Sequence, residues 1–277
     1  MKTVRFVKMH GAGNDFVLVD DRDGGFPCEH RLIAAMATRP SGIGCEGVIL
    51  VQHSDTADFK MRFFNPDGSE ADLCGNGARC VAAFAREIGA AAGKVMRFET
   101  AAGFVDAEIL DDDLVRIAIP DPKGLGDDFV VAGVPHKIVP VENLAKTDVE
   151  GEGRRIRMSD EFAPDGTNVD FVCYRAPDRV LVRTYERGVE AESFACGTGS
   201  VAAAVVGVAQ HGLRFPVRVK TAGGYELIVG GTKTGAGFSE ITLTGPVKRV
   251  FEGEIDLDSL GVVPGNRSVS GAVAHAR

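Results

Sequence analysis

Two kinds of pattern alternate along the chain. Short runs rich in Val, Ile, Phe and Tyr, bounded by Gly, Asn, Asp or Pro, predict strands over 4–7, 16–20, 48–52, 59–64, 95–99, 104–109 and 115–119. A second set follows over 129–131, 137–141, 169–174, 180–185, 217–220, 225–229 and 240–243. Three stretches, 29–38, 77–88 and 199–210, read as helices instead. The last two stop near Gly89 and Gly212, where glycine supplies the left-handed residue that ends a helix. Residues 81–85 and 201–209 are apolar on nearly every face, and a helix of that kind must be buried. The pattern therefore predicts strands wrapped around a central helix, twice over.

The repetition reaches individual residues. Cys74-Gly75-Asn76-Gly77-Ala78 and Cys196-Gly197-Thr198-Gly199-Ser200 each precede one of the two apolar helices. Further on, Arg97-Phe98-Glu99-Thr100-Ala101 is answered by Arg218-Val219-Lys220-Thr221-Ala222 at nearly the same separation. Two independent matches at one offset indicate an internal duplication. The expected fold is α+β, with two similar lobes. Each is a mostly antiparallel sheet or barrel around a buried helix, and the active site lies in the cleft between them. The lobes are expected to cover 1–121 and 122–263, joined near Pro120-Asp121-Pro122. The tail 264–277 is expected either to pack back on the first lobe or to be disordered.

Composition narrows the function classes. The chain has 277 residues, 44% hydrophobic and 25% charged, as in ordinary globular proteins and unlike disordered chains. Its longest apolar run, 201–209, is well short of the ~20 residues of a membrane-spanning helix. The start of the chain lacks a sustained apolar core, so no signal peptide is expected and the location expected is cytoplasmic. Lys and Arg number 31 against 39 Asp and Glu, a net charge of −8 with no basic cluster, which argues against nucleic acid as a partner. The six cysteines, Cys28, Cys45, Cys74, Cys80, Cys173 and Cys196, are spread over a long chain without CxxC spacing. They read as reduced thiols, neither a disulfide framework nor a zinc site, and no metal is expected. Cys80 lies inside a helix and reads as core; Cys28, Cys45 and Cys173 read as structural.

Cys74 and Cys196 are different, because each stands where a strand-rich segment turns through glycines into a buried helix. The first N–H groups of a helix lack intrahelical partners and carry the positive end of its dipole. A thiol there is expected to have a lowered pKa, and the glycine-flanked N–H groups form an anion site suited to a carboxylate. Two such thiols facing each other across a cleft suit one reaction: removal of an α-proton on one face of a carbon and its return on the other.

Six ordered segments bear on that reading: Met9 to Phe16, Phe64 to Glu70, Cys74 to Cys80, Gly166 to Phe171, Tyr185 to Gly188 and Ala195 to Gly199. On these the chain resembles the diaminopimelate epimerases, amino-acid epimerases of lysine and cell-wall precursor synthesis that need no cofactor. The resemblance implies Cys74 and Cys196 as the two acid/base groups. It implies Asn14, Asn65 and Asn168 as substrate-holding amides, and Glu186 and Arg187 as charged substrate contacts. Gly75, Asn76, Gly197 and Thr198 would hold the α-carboxylate, and His136 matches an active-site histidine. A small amino-acid substrate, no cofactor and a homodimer are likewise implied. A zwitterionic distal end fits these residue types, since an arginine fork binds carboxylate bidentately and a glutamate pairs with ammonium.

Two positions depart from the family pattern. Val134 and Gly47 stand where an asparagine and a glutamine are common, and each replacement removes an amide that could touch substrate. Two alternatives therefore stay open: a racemase of the same fold for another amino acid, and a non-catalytic binder of a small amino acid. The histidine-containing variants of the cysteine motif found in proline-racemase-like enzymes are missing here, and both cysteine sites are complete, unlike in fold-mates that isomerise through a single carboxylate.

Overall fold

The computed structural model describes residues 3–235 and 237–261. The first repeat contains β1 (Thr3–Gly11), β2 (Asn14–Asp20), α1 (His30–Ala37), β3 (Val48–Gln52), β4 (Phe59–Phe64), β5 (Glu70–Ala71), α2 (Gly75–Glu87), β6 (Val95–Thr100), β7 (Gly103–Asp111) and β8 (Leu114–Ala118). The second contains β9 (Lys123–Gly126), β10 (Phe129–Ala132), β11 (Val134–Pro140), α3 (Val149–Arg157), β12 (Asn168–Arg175), β13 (Arg179–Glu186) and β14 (Ala191–Ser193). It continues with α4 (Gly197–Gln210), β15 (Val217–Lys220), β16 (Glu226–Thr234) and β17 (Gly237–Asp256).

The duplication is written in the strand pairing. In the first lobe β1 pairs antiparallel with β2, β2 parallel with β3, β3 antiparallel with β4, β4 parallel with β6, and β6, β7 and β8 follow as an antiparallel run. In the second lobe β10, β11, β12, β13, β15, β16 and β17 repeat that order with the same senses, parallel again at β11–β12 and β13–β15. The short hairpin strands β5 and β14 sit on β4 and β13 just before each buried helix. This is the α+β fold of two similar lobes that the repeats predicted.

β17 joins the lobes. Its first part pairs with β16, residues Thr242–Pro246 pair with β8, and residues 247–256 pair with β1. That last ladder closes the first lobe into an eight-stranded barrel around α2. The sequence pattern predicted only the segment 240–243 here. Beyond it the exposed stretch Arg249–Glu254 breaks the apolar alternation, and the strand is held there by its ladder with β1 rather than by burial.

Both central helices are buried as expected. Ala78, Cys80, Val81, Ala82 and Ala85 of α2 and Val201 to Val206 of α4 are fully inaccessible. They pack on Ile49, Phe98 and Ile117 in one lobe and on Val172, Val219 and Val229 in the other, within one continuous apolar cluster. Strands β2 and β3 are buried on both faces because α1 covers their outer side with Ile33 and Met36. That is why they read as unbroken apolar runs. Gly89 and Gly212 take φ of +69° and +72° at the ends of α2 and α4.

Helix α3 was not expected. Its sequence, VEGEGRRIR, carries two glycines and only two apolar residues. The turn forms because Asp148 accepts from the Gly151 amide at 2.9 Å and because the helix packs on Val169, Phe171 and Tyr185. Gly153 is needed for that packing, as a Cβ there would sit 2.5 Å from the Tyr185 Cβ. The tail 264–277, with its two expected fates, lies outside the described residues. Among the described residues no helix is long and apolar enough to cross a membrane.

Candidate active site

Cys74 and Cys196 are the residues immediately before α2 and α4, both extended, at φ −123°, ψ 120° and φ −88°, ψ 115°. The Gly199 amide donates to Cys196 Sγ at 3.4 Å, and Thr198 Oγ1 lies 3.4 Å from the same sulfur. The Cys74 thiol points at Asn14 Oδ1, 3.6 Å away. The two helix starts converge, since a Cβ on Gly75 or Gly197 would meet the same Leu243 methyl at 3.7 and 3.1 Å. A hydrogen bond crosses between the lobes at this point, from Asn76 Nδ2 to the Ala195 carbonyl at 2.9 Å. The structure thus brings together the two helix starts that sequence reasoning paired.

Their electrostatics differ from expectation. Burial pushes the Cys74 thiol up, the backbone N–H of Gly77 opposes the rise, and the charge of Glu186 adds to it. Burial pushes Cys196 well above the ordinary thiol value, again with Glu186 adding to the shift and the Gly199 amide opposing it. A helix terminus contributes about 0.3–1 kcal/mol at an exposed site, up to about 2 kcal/mol when partly buried. Removing a thiolate from water outweighs that in this cleft, so both groups rest as thiols. The negative charge of Glu186 raises both thiols. Its own pKa is raised, first by burial.

In the first lobe Asn14 opens β2. Its Oδ1 faces Cys74 and, at 3.5 Å, Asn76 Nδ2, and its Nδ2 donates to the Glu46 carboxylate. The turn leading to it passes through Gly13, at φ +90°, directly under Tyr225 of the second lobe; a Cβ there would lie 2.8 Å from that ring. Asn65 sits in the turn after β4, bonded to Ser69 Oγ at 3.1 Å, and no described bond joins it to either cysteine. Gly47 is packed tight, because a Cβ there would meet the Phe63 ring at 2.4 Å. The missing glutamine is therefore replaced by an aromatic side chain and not by open space.

In the second lobe a chain of buried polar groups stands beside the start of α4. Thr184 Oγ1 donates to Asp170 Oδ1 at 2.6 Å, and Asp170 Oδ2 lies 2.7 Å from His136 Nδ1. His136 Nε2 is 3.4 Å from Asn168 Nδ2, and Asn168 Oδ1 accepts from the Arg187 amide at 2.7 Å. Because Asn168 Oδ1 is taken by an N–H donor, its Nδ2 must face the ring, so His136 accepts at Nε2 and carries its proton on Nδ1. His136 and Asp170 are wholly inaccessible, so the histidine supports Asn168 and does not itself line the cleft. Arg187 Nη1 donates to the Asp165 carbonyl at 3.2 Å, which leaves most of its fork for a ligand.

Asp170, Thr184, Glu46 and Arg79 were missed. Two of them could have been read from alternation: Asp170 shares a strand face with Asn168, and Thr184 lies opposite it in the β12–β13 register. Arg79 carried no signal, since an arginine in a helix is ordinarily solvated; here it is wholly buried. Among the described residues no cluster of His, Cys, Asp or Glu could hold a metal ion.

The family profile described as "Diaminopimelate epimerase" matches residues 6–121 and 129–250. The chain belongs to the diaminopimelate epimerase family. Among relatives, the diaminopimelate epimerase of Chlorobaculum tepidum is 43% identical over 260 residues, covering 90% of this chain and all of its own. That of Aquifex aeolicus is 40% identical over 282 residues, covering 93% and 99%. At the level of fold alone, the phenazine biosynthesis protein of the PhzF family from Bacillus anthracis superposes with a TM-score of 0.72 at 21% identity, over 92% of this chain and 99% of its own. A probable proline racemase from Agrobacterium radiobacter gives a TM-score of 0.68 at 20% identity, over 92% and 93%. Membership in the diaminopimelate epimerase family bears out the resemblance carried by the six ordered motifs.

Proposed function

We propose that the chain is a cofactor-independent isomerase that interconverts LL- and meso-2,6-diaminopimelate, with Cys74 and Cys196 as the two acid/base groups. The observation that carries this is the pair of cysteines at duplicated helix starts, joined by the Asn76–Ala195 bond and sharing Glu186. One sulfur, as thiolate, takes the α-proton and becomes a thiol; the electron pair left on carbon spreads into the α-carboxylate. The other thiol then gives its proton to the opposite face and becomes the thiolate. The reverse direction exchanges their roles. Gly75, Asn76, Gly197 and Thr198 hold the α-carboxylate at the helix starts, where N–H groups meet the charge that develops on its oxygens.

Arg187 then binds the distal carboxylate and Glu186 an ammonium, with Asn14, Asn65 and Asn168 orienting the chain between them. His136 acts on substrate only through Asn168. The product would supply lysine and peptidoglycan precursors, in the cytoplasm, with the enzyme a homodimer; a monomeric mass in sedimentation would refute the last point. A racemase of another amino acid is the second reading, favoured by Gly47 and Val134, which present no amide. The deciding experiment incubates the protein with LL-diaminopimelate in deuterated buffer. Deuterated meso product, lost in Cys74→Ala and in Cys196→Ala, supports the two-thiol epimerase; no α-exchange from a folded, reduced protein refutes it.

A further inference from the structure

Arg79 is an anomaly in the fold. It lies one turn into α2, wholly inaccessible, with no carboxylate partner among the described residues. Its guanidinium points back toward the positive end of its own helix, the wrong end for a cation. Nη2 donates to Asn76 Oδ1 at 2.6 Å and Nη1 to the Gly75 carbonyl at 3.2 Å, while Nε has no partner. Space for it is kept by Gly245 of β17, where a Cβ would lie 3.0 Å from Nε. A buried, unpaired charge is costly, and replacing such groups by apolar ones is often neutral or stabilising. Stability does not explain this residue.

Its geometry does. An arginine only donates, so the Asn76 oxygen must face it and the Asn76 amide nitrogen must face away. That nitrogen is the donor to the Ala195 carbonyl at 2.9 Å, one residue before Cys196. With Arg79 gone the Asn76 oxygen loses its partner, and the amide is held only through Nδ2, by the Ala195 carbonyl and by Asn14 Oδ1 at 3.5 Å. We propose that Arg79 is a positioning residue: by fixing the Asn76 amide it clamps the start of α4 to the start of α2 and sets the spacing of the two thiols. Proton transfer across one carbon is sensitive to that spacing, since a misplacement of about 1 Å can cost on the order of 100-fold in rate.

The proposal rests on the two-thiol reading, and its test has a readout independent of activity. Arg79→Met is measured for thermal stability, for kcat and KM with LL-diaminopimelate, and for amide hydrogen exchange in residues 195–200 without substrate. The expected result is an unchanged or higher Tm, kcat lower by at least tenfold and KM within about threefold. Exchange in 195–200 is expected to be at least tenfold faster, with the barrel strands still protected. Asn76→Ser leaves the guanidinium in place and removes the bond to Ala195; because Asn76 also holds the α-carboxylate, its readout is exchange in 195–200 alone, expected to quicken by the same factor, and that decides the matter if Arg79→Met does not fold. Unchanged exchange in 195–200, or kcat retained within twofold in folded Arg79→Met, overturns the proposal. If the wild-type protein does not turn over diaminopimelate, the substrate reading fails, while the exchange measurement still reports on the clamp.

Discussion

Replacing Asp170 by Asn tests the buried polar chain most sharply. The carboxylate accepts from Thr184 Oγ1 at 2.6 Å and from His136 Nδ1 at 2.7 Å, and neither Asp170 nor His136 is accessible to water. With its NH2 group toward Thr184 the amide makes that hydroxyl turn from donor to acceptor and leaves His136 a neutral acceptor; with its NH2 group toward His136 it faces a ring N–H. If the imidazole moves its proton to Nε2 to accept at Nδ1, that proton points at Asn168 Nδ2. Asn168 must then turn over, and its oxygen leaves the Arg187 amide, now 2.7 Å away. Giving up a buried hydrogen bond to a charged acceptor costs about 1.5–3 kcal/mol. For a chain of this size that lowers Tm by about 3–6 °C. Loss of the Arg187 contact should raise KM for diaminopimelate by about tenfold, the equivalent of ~1.4 kcal/mol, while kcat changes less. Thermal unfolding and steady-state kinetics on the same preparation check both numbers. A Tm within about 2 °C of wild type together with an unchanged KM would refute the coupling of Asp170 to Asn168 through His136.

Three further outcomes are expected. Gly199→Ala places a Cβ 2.3 Å from Asp170 Oδ1 and 3.1 Å from Thr184 Oγ1, so it should destabilise by about 1–3 kcal/mol in urea unfolding; full stability would mean that β12 yields freely. Glu186→Gln removes a charge that raises Cys74 and Cys196, so the pH dependence of their alkylation by iodoacetamide should shift to lower pH; an unmoved profile would show that burial alone sets both thiols. Gly47→Gln, the residue common in the family, would press on Phe63 from 2.4 Å and should lower Tm without improving KM; an improved KM would show that the position had kept its substrate contact.

The pKa shifts carry a consequence for the resting enzyme. Burial raises both thiols, so the proposed two-thiol mechanism starts from a minor form in which one is ionised. The rate is expected to rise with pH through the neutral range, because a thiolate is needed and the fraction present increases as pH approaches the raised values. A rate that is flat from pH 6 to 9 would contradict this order of events.

Much of this was legible in the chain itself. The helices around Cys80 and Val205 are apolar on every face, which is a local property and forces burial wherever the chain goes. The duplicated Cys-Gly segments fix two thiols at two helix starts by spacing alone. Tertiary structure was needed for features made by contacts between distant segments. The outer half of β17 is a strand because β1 offers it a ladder, and α3 is a helix because Tyr185 and Phe171 receive it; neither sequence shows the required periodicity. The raised thiol pKa values likewise depend on how much protein surrounds the helix starts and on where Glu186 falls, neither of which the motifs encode. Arg79 is the extreme case. Its letters sit inside the most informative motif of the sequence, yet its burial, its missing carboxylate and its hold on Asn76 arise only when β17 closes over α2 and the second lobe brings Ala195 within reach.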